Sequence, residues 1–234
     1  SNQPRSGINF YGADVSQGIT GSYDSMCQNC IAIDYNSDPD GRLGAGIQQP
    51  HATRNVKLYG SIALNVPVNG FYTANIHEGT MPPTGNDIIN SVVWDSGYGW
   101  PQRDNNSSTV TLIDRFTAGN NRNGAIANWG SGAGNTTVKN SIFYNNNNQN
   151  NQGTDTNSYN WYFNSGAAQG TNALTTNPNI QYITRSPEIV GTGEGGVTRG
   201  ATIEKRYGVS GTLWGEAGYD QLTNENLWPW PNEQ

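Results

Sequence analysis

One phrase recurs along this chain: a short apolar run entered through a single small polar residue or glycine. It occurs as QNCIAIDY (28–35), YGSIALNV (59–66), INSVVWDS (89–96), LIDRFTAG (112–119) and VKNSIFYN (138–145). Aligned, one column reads Asn29, Gly60, Asn90, Asp114, Asn140, at intervals of 31, 30, 24 and 26 residues. A unit of this length with a strand pattern cannot bury its apolar side alone, so successive units must stack. The spacing predicts an all-β fold: a single-stranded right-handed parallel β-helix of about five coils over residues 1–156. An irregular, Trp-rich segment over 157–234 is expected to close the same domain.

The column also has a chemical reading. Within a coil, Asn55-Val56-Lys57-Leu58 and Ser61-Ile62-Ala63-Leu64 are separated by Tyr59-Gly60, which reads as two strands joined by a tight bend. Asn tolerates the left-handed backbone such a bend needs, and its amide can bond to backbone. Stacked at strand spacing, about 4.8 Å, the amides of successive coils are expected to form a ladder. Gly60 and Asp114 substitute for backbone freedom and side-chain acceptor respectively. A second polar column, Asp34, Asn65, Asp95 and Asn145, follows each run. It too is read first as a ladder that ends the strand.

Composition fits a thin, stacked core. Hydrophobic residues are 33% and charged residues 13%, with 30 glycines. Low apolar content alone would point to disorder, but a net charge of −6 and 10% aromatics argue against it. The acidic balance, with only 12 Lys and Arg, supplies no basic stripe for nucleic acid. No run of about 18 apolar residues exists to span a membrane as a helix. A surface rich in Asn, Ser, Thr and Tyr predicts an extracellular or cell-surface location. Cys27 and Cys30 form a C-x-x-C pair; a local disulfide, buried thiols, a metal site completed by His51 and His77, and redox chemistry are all compatible with the spacing.

The segments after the coils carry a resemblance. Asn177-Pro178-Asn179-Ile180, then Arg185-Ser186-Pro187-Glu188-Ile189-Val190-Gly191-Thr192-Gly193, then Arg199-Gly200-Ala201, resemble the C-terminal signature of secreted bacterial parallel β-helix repeat proteins of the pectate-lyase-like superfamily. Glu188 stands where that pattern prefers a small residue, and Arg199 where it prefers an apolar one. The resemblance implies the fold. It also implies a menu of roles: polysaccharide lyases and hydrolases, surface proteins, and structural or adhesive shafts.

Candidate chemistry is sparse. Asn36, Asp38 and Asp40, followed by Gly41, alternate oxygen donors like the opening of a calcium loop, so calcium is the one cofactor the sequence offers. Ile47 stands where the closing Glu of an EF-hand would be. Lys57, Arg54 and Asp95 are the weak catalytic candidates: a cation and a base on an acidic polysaccharide, or a carboxylate paired with Asp34 two coils away. Lys57 precedes its bend as Lys139 does, which reads equally as an ordinary outward strand residue. Tyr72, Tyr98, Trp100 and Trp129 are candidate platforms for sugar rings, against the alternative that they fill the core. A solenoid has two open ends, and Gly7-Ile8-Asn9-Phe10 begins a coil with nothing capping it. The expectation is therefore a non-catalytic structural or surface protein that pairs with itself end to end into a fibre or joins a larger assembly. A protein that binds or cleaves extracellular polysaccharide is the alternative.

Overall fold

The computed structural model describes residues 6–10, 24–34, 44–50, 53, 55–75, 85–104, 110–128, 135–147, 156–180, 187–203, 205–209, 212, 215–219 and 221–226. They form a parallel β-helix of three sheets. The first sheet stacks β1 (Ser6–Asn9), β4 (Ala45–Pro50), β7 (Asn69–Asn75), β10 (Tyr98–Asp104) and β13 (Gly124–Asn128). The second stacks β2 (Met26–Gln28), β5 (Lys57–Tyr59), β8 (Asn86–Ile89), β11 (Val110–Asp114), β14 (Asn135–Lys139) and β16 (Thr156–Ser158). The third stacks β3 (Ile31–Ile33), β6 (Ile62–Leu64), β9 (Val92–Trp94), β12 (Thr117–Gly119), β15 (Ile142–Tyr144) and β17 (Trp161–Phe163). All pairings within these sheets are parallel, each strand bonding the equivalent strand one coil away.

Two residues separate the second-sheet strand of each coil from the third. The first is left-handed: Asn29, Gly60, Asn90, Arg115, Asn140 and Tyr159 have φ between 49° and 57°. The register pairs Asp114 with Ile89 and Lys139, so the column expected through Asp114 runs through Arg115 instead. The error has a simple cause. Asp looks like an Asn substitute, whereas Arg is rarely tolerated in this conformation. The bend is dictated by neighbouring coils rather than by the residue itself.

The interior is apolar on the sides formed by the second and third sheets. Cys27, Leu58, Ile88, Ile113 and Val138 point in from the second sheet, and Ala32, Ala63, Val93, Ala118, Phe143 and Tyr162 from the third, meeting Ile47, Phe71, Trp100 and Ile126 of the first. Glycine serves close packing at Gly70, where a Cβ would collide with the Val93 side chain.

The stack does not end at residue 156. β16 and β17 form a sixth coil, and bridges from Ser158 to Thr171 and from Trp161 to Leu174 begin another. The aromatic residues at the start of the segment expected to close the domain are strand: Tyr162 points inward and Trp161 outward. Past this point the chain reverses and runs down the side of the helix as a strap. Arg199 Nη1 bonds Asn160 O at 3.0 Å in the sixth coil, Glu194 N bonds Asn140 Oδ1 at 2.8 Å in the fifth, and Ala201 N bonds Thr117 Oγ1 at 2.8 Å in the fourth. Thr202 N then bonds Asn90 Oδ1 at 2.6 Å in the third. Gly200, at φ 72°, lies so close that a Cβ would sit 2.7 Å from Ile142 Cδ1. A hairpin of β18 (Lys205–Tyr207) and β19 (Leu222–Asn226) follows, with Gly208 against Gln28 of the first coil. The outer face of the third sheet is thereby covered: Ile62, Val92, Ile142 and Trp161 form a second buried cluster with Ile180, Ile189 and Ile203 of the strap.

Candidate functional site

Three features of the surface and the bends could carry function: the side-chain ladders, an exposed column on one corner, and the end of the first coil.

The buried ladders sit one residue after each left-handed position. At the bend between the second and third sheets, Ser61 N donates to Ser91 Oγ at 3.1 Å, Phe116 N to Ser141 Oγ at 3.1 Å and Ser141 N to Asn160 Oδ1 at 3.0 Å. At the corner after the third sheet, Ser96 N donates to Asn121 Oδ1 at 3.0 Å, Asn121 N and Nδ2 to Asn146 Oδ1 at 3.1 and 2.8 Å, and Asn146 N to Ser165 Oγ at 2.9 Å. All these side chains are buried. They satisfy backbone donors that a turn leaves without a sheet partner, which is what a buried bend requires. Of the left-handed Asn residues before them, Asn90 and Asn140 each present Oδ1 to the strap, and Asn140 also forms one link of the expected ladder, its Nδ2 donating to Asp114 Oδ1 at 2.9 Å.

The second polar column is fully formed and faces out. Asp34, Asn65, Asp95, Asn120, Asn145 and Asn164 all have left-handed φ and all are exposed. Asn120 and Asn164 complete the set that the sequence gives as Asp34, Asn65, Asp95 and Asn145. Asn65 Nδ2 donates to Asp34 Oδ1 at 2.7 Å, and Asn164 Nδ2 to Asn145 Oδ1 at 3.0 Å. Beside it runs an outward column of Ile33, Leu64, Trp94, Gly119, Tyr144 and Phe163. Gly119 leaves the space into which the Trp94 ring lies, and that ring stacks on Tyr144 at 5.7 Å, which meets Phe163 at 5.3 Å. Sequence reasoning misses this aromatic ladder. Its signal is the position before each Asx residue of the corner column.

The remaining site candidates are scattered. Tyr72 and Trp100 are 2% and 1% exposed, so both rings are core and offer no face to a sugar. Trp100 Nε1 instead donates to Thr73 Oγ1 at 3.0 Å, which donates to Gln49 Oε1 at 3.2 Å. Tyr98 is half-buried at the start of β10. Lys57 lies on the outer face of the second sheet, paired with Asp87 at 3.3 Å. Burial pulls the Lys57 ammonium down, but Tyr59 and Asp87 outweigh it and hold its pKa above the usual value. Asp95 sits on the corner beyond the third sheet, so the structure does not bring it together with Lys57. Asn36, Asp38, Asp40, Arg54 and Trp129 lie outside the described residues. Among the described residues no three His, Cys, Asp or Glu side chains converge, and no helix is long and apolar enough to cross a membrane.

The two cysteines form a disulfide across the first bend, with Cα atoms 5.7 Å apart. Among the described residues the first coil is also where all three sheets end: β1, β2 and β3 are edge strands. Ile8, Phe10, Cys30 and Ile31 are only partly covered there, whereas Ile47, Ser61 and Ile62, the equivalents of Ile8, Cys30 and Ile31 in the next coil, are buried. No family model, no curated protein and no solved structure matches the chain.

Proposed function

We propose that this chain is a non-catalytic, extracellular structural subunit that stacks end to end into a filament or the shaft of a larger surface assembly. The observation that carries this reading is the first coil. Among the described residues, three parallel strand edges and a patch of partly covered core residues face away from the stack in the orientation every other coil uses to pair. An edge of this kind is a template for another chain, and a second copy ends at its opposite side in parallel-stacked chain, the partial coil that Thr171 and Leu174 add to β16 and β17. Such a head-to-tail contact does not close, so it propagates. The disulfide suits an oxidising compartment.

Negative-stain electron microscopy of the purified full chain across a concentration series tests it. Filaments with an axial repeat of one subunit length support the reading. Monodisperse monomers at every concentration overturn it.

A second reading is favoured by one observation. The six exposed Asx residues of the corner repeat at strand spacing beside a stripe of aromatic side chains, a linear array suited to an extended polysaccharide. Trp94 in this stripe is buried beneath the strap, so the rings within reach of a sugar are the partly covered Tyr144 and Phe163, which pack on each other. Affinity electrophoresis through polysaccharide gels, with Asn120→Ala as the control, separates this reading from the first.

A further inference from the structure

The first coil closes its bend by different chemistry from the three coils that carry serine there. In the column after the left-handed residue, the coils carry Cys30, Ser61, Ser91, Phe116, Ser141 and Asn160. Where serine stands, its hydroxyl donates to the carbonyl two residues earlier: Ser91 to Ile89 O at 2.9 Å, Ser141 to Lys139 O at 2.8 Å, and Ser61 to Tyr59 O at 3.3 Å. Each serine oxygen in the third and fifth coils also accepts a backbone N–H from the coil before it. A serine bend is thus held from its own strand and from its neighbour. Among the described residues the first coil has no preceding neighbour, and in place of the hydroxyl it has Cys30 bonded to Cys27. The second coil adds one bond to this bend, Ser61 Oγ to Cys27 O at 3.2 Å.

Resting on the end-to-end reading above, we propose that the Cys27–Cys30 disulfide is a redox gate on the docking end of the solenoid, and that the partner it gates is a second copy of this chain. Oxidised, the bridge fixes β2 and β3 on either side of the bend, so that their free edges stand parallel and in register for the last coil of the next subunit. A dithiol reductant opens it by disulfide exchange: two electrons and two protons pass to the cysteine sulfurs, giving two thiols, and the reductant leaves as its own disulfide. The first coil then lacks both the covalent tie and the hydroxyl that closes the serine bends. It frays, and its edges no longer present a single template. Cys30 is only partly buried and lies in the outermost coil of the described residues, where a reductant reaches it without unfolding the middle coils.

The design of the other coils supplies the control. Cys27 occupies a column of Leu58, Ile88, Ile113 and Val138. The double variant C27V/C30S therefore gives the first coil the same pattern as its neighbours, with a hydroxyl in place of the bridge. Elongation of sheared filament seeds is followed by light scattering for the oxidised full chain, for the chain reduced with dithiothreitol and alkylated, and for the double variant with and without reductant. Hydrogen exchange by mass spectrometry on the unassembled chain is read in parallel. The expected result is elongation by the oxidised chain, a loss of about tenfold or more on reduction, and redox-insensitive elongation by the double variant. Exchange should quicken over residues 26–33 on reduction and stay unchanged over 56–95. Equal elongation by oxidised and reduced chains overturns the gate while leaving end-to-end stacking intact. Absence of filaments under every condition overturns the stacking reading and the gate with it. Unchanged exchange over residues 26–33 overturns the fraying step by itself.

Discussion

Asn145 and Asn146 are adjacent in a run of four asparagines, yet their surroundings differ completely. Asn145 is exposed on the corner with φ 51°, while Asn146 is 3% exposed and serves two coils at once. Its Oδ1 accepts from Asn121, and its Nδ2 donates to Ala118 O at 2.9 Å and to Ser165 Oγ at 3.1 Å. Asn146→Ala leaves the buried Asn121 N–H and Ala118 carbonyl short of these partners and is expected to cost about 2–4 kcal/mol by urea denaturation. Asn145→Ala loses only the left-handed preference and one exposed bond, about 1 kcal/mol. Equal losses would show that the ladder is not a principal support. The sequence makes the Asn columns visible through their spacing. It does not reveal that the left-handed residue faces out while the next one faces in, because both positions favour Asn. Tyr162 offers a second residue-scale test. Burial pushes its phenol up to about 12 from 10.0, against a weak bond from Asn160. The folded state therefore holds the proton more tightly than the unfolded state. This contribution is fully present below about pH 10 and is lost as pH rises towards 12, amounting to about 3 kcal/mol. Tyr162→Phe should flatten the fall in stability across that window, and a spectrophotometric phenolate titration should lose its latest-titrating group.

At the scale of elements, the strap is the part least legible in advance. Periodicity exposes strands through alternation, and the third sheet does alternate. But residues such as Ile62 and Ile142 point outward and are still fully buried. Apolar side chains on both faces of β6 and β15 are the available signal of an outer cover, and a short run of three residues carries it weakly. The Trp-rich tail suggests a cap over the end because solenoids need their terminal repeats covered. What directs the chain downward instead is Arg199. Its guanidinium is buried, donates Nε to Thr192 O at 2.7 Å and Nη1 to Asn160 O at 3.0 Å, and lies over the Tyr159 and Trp161 rings. Burial lowers its pKa, and Tyr159 opposes that fall. Arg199, one of the two residues that depart from the resembled pattern, thus pins the strap to the sixth coil. Arg199→Ala should cost about 2–3 kcal/mol, with hydrogen exchange quickening first over residues 189–203. Arg199→Lys should recover little, since a point charge cannot reproduce the planar fork over two rings. Uniform quickening across the coils would assign Arg199 to global stability instead.

For the whole molecule, the coil order has a direction that bears on assembly. In the corner column an amide proton passes to the coil before from Asn65 to Asp34 and from Asn164 to Asn145, while Asp95 between them has no amide proton to pass. At the turn leading into the second sheet Asn55 Nδ2 likewise donates to Asp24 Oδ1 at 2.9 Å. Both series therefore begin with a carboxylate that has no proton to hand further down. Asp34→Asn supplies that donor and removes a charge from the end. It should lower the concentration at which filaments form by about threefold to tenfold; an unchanged threshold would mean that this corner lies outside the subunit contact. The strap adds a mechanical consequence. A rod held only by contacts between successive coils would snap at its weakest joint, with nothing beyond to catch the load. Here a second tether runs alongside, fastened at several heights, so tension along the axis is shared in parallel and a broken joint is still bridged. Because Ser6 and the hairpin ending at Asn226 lie beside the first two coils, a pull between those two points bypasses the length of the rod altogether. The far end bears load only when something grips it.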